Sequence, residues 1–174
     1  MKILIAYTSA HGTTRACAEL LSRELESKGE ITLVDMNTQK APSPDGFDAV
    51  VLGSSIRFAK MSKKLKAYIK EYKAELEKGN CGVFLCCGVP DEFESYAKEQ
   101  LPRGIKLGLG VAHFGGELKP KNVKGIFDKL VVRAMRKEIT EHDFEDATYK
   151  EVLPEILPEN IKNFAVKVID TMYN

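Results

Sequence analysis

The chain has 174 residues, of which 44% are hydrophobic and 29% charged, and its formal net charge is +1. This length fits one domain with a single buried core, which we place at residues 1–174. The balanced charge excludes a protein built to coat nucleic acid. No apolar run approaches the length of a membrane-spanning helix, and the one at the N-terminus is too short for a signal peptide. A cytoplasmic location is therefore expected.

Short apolar runs alternate with amphipathic segments along the chain. The predicted strands are 3–7, 31–36, 49–52, 83–87 and 108–114, and the predicted helices are 13–28, 62–77, 92–101, 123–137 and 158–172. This alternation indicates a parallel sheet covered by helices on both faces. Ligands of such sheets bind beyond the carboxyl ends of the strands. The loops after Tyr7, Gly53 and Cys87 are therefore the candidate site.

The first of these loops places hydroxyl side chains at a helix N-terminus. Its candidate phosphate-binding residues are Thr8, Ser9, His11, Gly12, Thr13 and Thr14. Helix N-terminal amides favour an anion, and a glycine lets a ligand approach the backbone. Neither G-x-x-x-x-G-K-[ST] nor G-x-G-x-x-G is present, so neutral donors would hold a phosphate monoester. The residues alone leave a second interpretation open, in which Ser and Thr simply cap the helix.

The second and third loops offer contacts for a flat ligand. The candidates are Ser54, Ser55, Ile56, Arg57 and Phe58 in the second loop, and Cys87, Gly88 and Val89 in the third. Phe58 can stack on a ring, and Arg57 can hold negative charge on a ligand or an acidic substrate. The alternative is that Arg57 is an ordinary surface residue and that Phe58 packs on the next helix.

Residues 119–137 hold seven Lys and Arg residues and one acid, Asp128. A basic amphipathic helix is typical of a membrane-surface or partner-docking segment. In the alternative interpretation, its apolar face packs on the domain and the acidic stretch 138–146 folds back on its basic face. The three histidines share no metal-ligand spacing, and the four cysteines form no C-x-x-C pair, so no metal site is predicted.

The first loop resembles that of flavodoxins, whose pattern is filled here by Tyr7, Ser9, Gly12, Thr14 and Ala18. The run VVLGSSIRF is similar to the V-[IV]-[IVL]-G-[AS]-S-I-R-[YF] run of the menaquinone-dependent protoporphyrinogen oxidases, and ESYAKEQL and GIFDKL are similar to later segments of that family. The resemblance implies a flavodoxin-like, doubly wound sheet of five parallel strands in the order 2-1-3-4-5. It also implies an inserted helix after strand 5 and an FMN cofactor.

The same resemblance implies an FMN-dependent oxidoreductase that passes electrons from protoporphyrinogen IX through FMN to a quinone. Arg57 would then contact the substrate or the flavin edge. Residues 119–137 would hold the protein against the inner face of the cell membrane. The main alternative is a flavodoxin-type soluble electron carrier that docks on redox-partner proteins. Such carriers are usually strongly acidic, and the near-neutral charge of this chain is unlike theirs. A third interpretation is a flavodoxin-like module that docks in a larger complex through residues 119–137.

Overall fold

A computed structural model describes residues 1–88, 90–116 and 155–173 of the chain. Five strands form one parallel sheet in the order β2-β1-β3-β4-β5, as the resemblance implied. The strands are β1 (Lys2–Thr8), β2 (Glu30–Asp35), β3 (Ala49–Ser55), β4 (Cys81–Cys86) and β5 (Gly110–His113). The apolar runs in the sequence predicted all five, although the predicted bounds of β5 were too wide at both ends. The predicted end of β3 at residue 52 was three residues too early, so Ser54 and Ser55 belong to the strand.

Helices follow β1, β3 and β4, and a loop connects β2 directly to β3. The helices are α1 (Thr13–Leu25), α2 (Lys63–Glu71), α3 (Lys73–Leu76), α4 (Phe93–Gln100) and α5 (Pro158–Tyr173). The single helix predicted over 62–77 is divided at Tyr72, whose φ of −110° and ψ of 28° leave the helical region. Hydrogen bonds continue on both sides of Tyr72, so the division is a local distortion. The helix predicted at 123–137 lies outside the described residues.

Apolar side chains cover both faces of the sheet, which explains why its strands read as nearly continuous apolar runs. One face of β1 packs against α1 and α5 and buries Ile3, Ile5 and Tyr7. The opposite face packs against α2 and buries Leu4 and Ala6. None of the helices in the described part of the chain has the length and apolar character needed to cross a membrane.

The strand register brings the candidate loops to one edge of the sheet. Thr8 at the end of β1 pairs with Ser54 near the end of β3. Ser55 in turn pairs with Cys86, the last residue of β4. Because β1, β3 and β4 are parallel neighbours, the loops that follow them leave the sheet side by side. The fold therefore places the predicted site at the carboxyl edge, as the topology required.

Candidate functional site

The first loop turns sharply into α1 around Ser9. Gly12 has a φ of 98°, a left-handed conformation that favours glycine, and α1 begins at the next residue. Ser9 Oγ accepts hydrogen bonds from the amides of Gly12 (3.1 Å) and Arg15 (3.2 Å). Ser9 therefore caps the helix, as the second interpretation held. The amides of Gly12 and Arg15 are thereby occupied, so an anion at this loop would use the remaining N-terminal amides of α1.

Thr14 places a buried hydroxyl group under this loop. Its side chain is 1% exposed. Thr14 Oγ1 lies near the Cys86 thiol, a weak hydrogen-bonding group, and has no other hydrogen-bond partner in the described ranges. A buried hydroxyl without a strong partner is costly unless a ligand completes it. Thr14 therefore provides a donor without a strong acceptor in the first turn of α1, where an anionic ligand would complete it.

Two buried thiols pack against each other beneath the first loop. The Sγ atoms of Cys17 and Cys86 lie 3.6 Å apart, and both side chains are buried. Contact with the Cys17 thiol, together with burial, holds the pKa of Cys86 well above its usual range. A raised pKa suppresses the thiolate, which is the nucleophilic form of cysteine. Cys86 therefore supports the site by packing.

Residues at the end of β2 hold the first loop in place through contacts that the sequence did not predict. We call these contacts of Asp35 and Asn37 the brace. Arg15 Nη2 lies 2.9 Å from Asp35 Oδ2, and the amide of Asn37 donates to Asp35 Oδ1 at 2.9 Å. Asn37 Nδ2 donates to the carbonyl of Ser9 at 3.0 Å. Burial, together with the Asp35 carboxylate, raises the pKa of Tyr7 at the end of β1. The sequence contained one indication of this contact. Arg15 lies in the first turn of a helix, where a positive charge is unfavourable unless an acidic side chain pairs with it.

Ser54 lies beneath the second loop and not on its surface. It is fully buried. Its Oγ donates to the carbonyl of Ser55 (3.0 Å) and accepts from the amide of Ser62 (3.2 Å). Thr8 Oγ1 also donates to Ser54 Oγ at 3.4 Å. Ser54 thus connects β1 to the start of α2, and its predicted role as a cofactor ligand stays a prediction.

The second loop contains a tight hairpin turn, which the sequence did not predict. Arg57 and Lys60 exchange two backbone hydrogen bonds of 3.0 Å. The two residues between them, Phe58 (φ 50°) and Ala59 (φ 57°), are both left-handed. Turns of this type normally take Asn-Gly. Strained, non-glycine residues of this kind cluster at functional sites.

The hairpin presents an aromatic and cationic pair to solvent. The Phe58 side chain is 52% exposed. The guanidinium carbon of Arg57 lies 5.0 Å from the centre of the Phe58 ring, within the range of a cation–π contact. The pair can therefore offer both stacking and positive charge to a ligand.

A cavity of about 530 Å³ lies between the first and second loops. This volume is in the range of small-molecule and cofactor sites. Of the predicted residues, its walls include Thr8, Ser9, Ser55, Arg57 and Phe58. Asn37 and Lys60 also line it and were not predicted. The cavity confirms that the two loops share one space, although their role in binding a cofactor stays a prediction.

The third loop is held by the chain that follows β5. The amide of Cys87 donates to the carbonyl of Gly115 at 2.9 Å, and His113 Nε2 lies 3.0 Å from the carbonyl oxygen of Cys87. A Cβ atom at Gly116 would lie 2.6 Å from that carbonyl. Only glycine fits there without a shift of the loop. Cys87 is buried and Gly88 is half-buried beside it.

Three further residues predicted to bind the cofactor lie in or beside the first and second loops. His11 is half-buried in the first loop, Thr13 is the half-buried first residue of α1, and Ile56 donates its amide to the carbonyl of Cys86 at 2.8 Å. Val89 and the basic segment 119–137 lie outside the described residues. The membrane or partner contact predicted for that segment therefore stays a prediction.

The fold and its loops define a doubly wound α/β domain whose ligand-binding edge follows β1, β3 and β4. The sequence matches the family model described as Flavodoxin domain over residues 4–146. This match covers most of the chain, and the chain therefore belongs to the flavodoxin domain family.

Curated relatives match a shorter part of the chain. Protoporphyrinogen IX dehydrogenase (quinone) of Escherichia coli strain K12 is 29% identical over 77 residues. The match covers 44% of this chain and 42% of that protein, so this chain spans less than half the length of the relative.

Solved structures share the fold at low sequence identity. A flavodoxin from the domain Archaea aligns over 100% of both chains with a TM-score of 0.55 and 16% identity. A flavodiiron protein from Giardia intestinalis aligns over 99% of this chain and 37% of its own, with a TM-score of 0.56 and 13% identity. At these identities the likeness establishes the fold alone.

Proposed function

We propose that this protein is an FMN-dependent oxidoreductase. Membership of the flavodoxin domain family supports a flavin cofactor. The observation that carries the choice of FMN is the start of α1, where the first amides of the helix lie beside the buried hydroxyl of Thr14. FMN ends in a phosphate monoester, which suits neutral donors at a helix N-terminus.

The residues of the first loop fit such a phosphate. The amides of Thr13 and Thr14 are the first two of α1 and have no acceptor within the helix. The hydroxyls of Ser9 and Thr13 and the buried hydroxyl of Thr14 are further donors, and Thr8 would contribute only by giving up its hydrogen bond to Ser54. His11 would add positive charge when protonated. In this proposal the brace from Asp35 and Asn37 fixes the loop before the cofactor arrives.

The second and third loops would hold the flavin ring. Ser55, Ile56 and Phe58 would contact one side, and Cys87, Gly88 and Val89 the other. When bound, the cofactor supplies the redox chemistry, and the protein supplies binding, orientation and electrostatics. Arg57 would hold a carboxylate of the substrate or negative charge at the flavin edge.

We further propose that protoporphyrinogen IX is the electron donor and that a quinone is the electron acceptor. This proposal is supported by the similarity of residues 50–58 to the oxidase run and by the partial match to the Escherichia coli dehydrogenase. Contact of residues 119–137 with the inner face of the membrane belongs to the same proposal, because quinones reside in the bilayer.

The test is anaerobic reduction of the FMN-loaded protein by protoporphyrinogen IX, followed by addition of a menaquinone analogue. We expect the visible absorbance of the oxidised flavin to fall with the first addition and to recover with the second. FMN binding is measured separately by quenching of its fluorescence. Tight FMN binding without reduction by protoporphyrinogen IX would retain the flavoprotein and reject this substrate.

A flavodoxin-type electron carrier is the second candidate. The observation in its favour is the exposed Phe58 at the rim of the cavity, since an exposed aromatic beside an Arg is typical of a protein contact. A carrier would cycle with a reductase and a partner protein, and it would leave protoporphyrinogen IX unchanged.

A further inference from the structure

Two stretches of the chain are strongly basic; one is residues 119–137, and the other adjoins the candidate site. Residues 49–70 contain six of the 26 Lys and Arg residues and none of the 25 Asp and Glu residues. The rest of the chain is therefore net acidic, although the whole chain is close to neutral. We call this set the basic face; its members are Arg57, Lys60, Lys63, Lys64, Lys66 and Lys70.

The structure places these charges around the mouth of the cavity and along α2. Arg57 and Lys60 line the cavity itself. Lys63, Lys66 and Lys70 have the i, i+3, i+7 spacing of one helical face, and α2 buries Leu65, Tyr68 and Ile69. The basic face therefore runs from the cavity down the exterior of α2.

This arrangement is unfavourable for the helix on its own. The first turn of α2 contains lysines and no acid, which opposes the helix dipole. Lys64 Nζ donates to the carbonyl of Met36 (3.1 Å), and Lys66 Nζ donates to Gln100 Oε1 (2.8 Å). Both acceptors are uncharged, so these contacts orient the lysines without neutralising them. The local stability of α2 does not explain this concentration of charge.

We propose that the basic face docks an acidic redox protein at the mouth of the cavity. The inference rests on the proposed function, since it places the partner beside the FMN site. The exposed pair of Phe58 and Arg57 would form the centre of the contact and the lysines its rim, which is the usual anatomy of a protein interface. The concentrated positive charge of the basic face would also attract an acidic partner toward the cavity as it approaches.

A protein partner explains the surface better than a lipid surface does. Membrane binding by this edge would need several apolar side chains that enter the headgroup region together. Among the residues that the structure describes, Phe58 is the large exposed apolar side chain beside the basic face, and Arg57 lies over its ring. A single aromatic covered by a guanidinium offers little surface to a bilayer, whereas it suits an anchor in a protein interface.

The experiment uses two probe proteins and one vesicle. The FMN-loaded full chain is titrated at low ionic strength with an acidic [2Fe–2S] ferredoxin, with the basic protein cytochrome c, and with phosphatidylglycerol vesicles. The test variant is K63E/K70E. The matched control is K28E/K106E, which makes the same change in net charge at the amino edge of the sheet, where both lysines are exposed.

We expect the wild type to bind the ferredoxin, and binding to weaken steeply as salt is added. K63E/K70E should weaken it about tenfold or more, and K28E/K106E should change it by less than about twofold. Cytochrome c should not bind measurably to the wild type. Equal losses in the two variants would reduce the effect to net charge and overturn the docking site.

Other results would also reject a protein partner or separate this proposal from the proposed function. Absence of ferredoxin binding at low salt rejects the proposal. Vesicle binding that requires Lys63 and Lys70, without ferredoxin binding, would make the basic face a lipid contact and reject a protein partner. FMN affinity, measured by fluorescence on every variant, separates this result from the proposed function. A protein that binds FMN and ignores the ferredoxin loses only the docking surface, whereas failure to bind FMN rejects the proposed function.

Discussion

The first and second loops border the same cavity but are built in opposite ways. The first loop is fixed from beneath: Ser9 caps α1, and the end of β2 holds it through Asp35 and Asn37. The hairpin of the second loop closes on itself through two backbone hydrogen bonds and exposes Phe58. One site can therefore combine a rigid loop that holds a charged group with an exposed loop that contacts other molecules.

The two constructions suit the two tasks proposed for them. A phosphate is small and highly charged, so its donors must be positioned in advance. A ring edge and a partner surface are larger and tolerate adjustment by exposed side chains. The hairpin contains two left-handed residues and presents the side chains of Phe58 and Arg57 to solvent. Each loop can therefore be altered by substitution without changing the other.

The largest effect should come from loss of the brace in Asp35→Ala. The change leaves the Arg15 guanidinium and the Asn37 amide without their shared acceptor. We expect unfolding free energy to fall by about 2–4 kcal/mol, since bonds to charged groups are among the stronger ones. Urea denaturation measures it. Asp35→Asn keeps one acceptor oxygen, so its unfolding free energy should lie between those of the wild type and Asp35→Ala. A wild-type urea midpoint for Asp35→Ala would show that these contacts do not stabilise the fold.

The next effect concerns the buried hydroxyl of Thr14. Thr14→Val preserves the shape of the side chain and removes a donor, so FMN affinity should fall by the equivalent of about 1–3 kcal/mol. The stability of the FMN-free protein should be unchanged or higher, because a buried hydroxyl without a strong partner is lost. Fluorescence titration measures the affinity. Thr32→Val on β2 is the matched control and should leave FMN affinity unchanged. Unchanged affinity in Thr14→Val would remove this residue from the cofactor site.

The contrast between the loops also shows what a sequence can reveal. Apolar runs such as Ile3–Tyr7 predict buried strands because a sheet covered on both faces needs them. The order of the strands then places the loops together. The brace was missed because Asp35 and Arg15 are 20 positions apart in sequence and meet only when β2 lies beside β1.

The hairpin was missed for a different reason. Phe58 and Ala59 have no local preference for left-handed backbone, so only the surrounding structure imposes it. Similarly, the need for glycine at 116 comes from Cys87, a residue distant in sequence. Local propensity cannot report contacts made by the folded chain. The parts of the site that the sequence did predict are those where topology and residue type act together.

A third prediction tests the rim at Arg57. Arg57→Ala should leave FMN bound, because the phosphate is held by the other loop, and should lower turnover with an acidic donor about tenfold. Arg57→Lys restores the charge without the planar guanidinium, so partial recovery would assign the effect to charge, and no recovery to stacking. Steady-state kinetics with protoporphyrinogen IX measures it. Wild-type turnover in Arg57→Ala would remove its assigned role.

The smallest effect tests the strain in the hairpin. Ala59 has a φ of 57°, so Ala59→Gly should relieve steric strain and raise unfolding free energy by about 1 kcal/mol or less, since the added chain entropy of glycine offsets part of the gain. Ala10→Gly in the first loop, where no such strain exists, should be neutral or destabilising. Urea denaturation compares the two. A loss of stability in Ala59→Gly would mean that the backbone is not left-handed in solution. The hairpin would then be an ordinary surface loop, and the contrast with the first loop would reduce to burial alone.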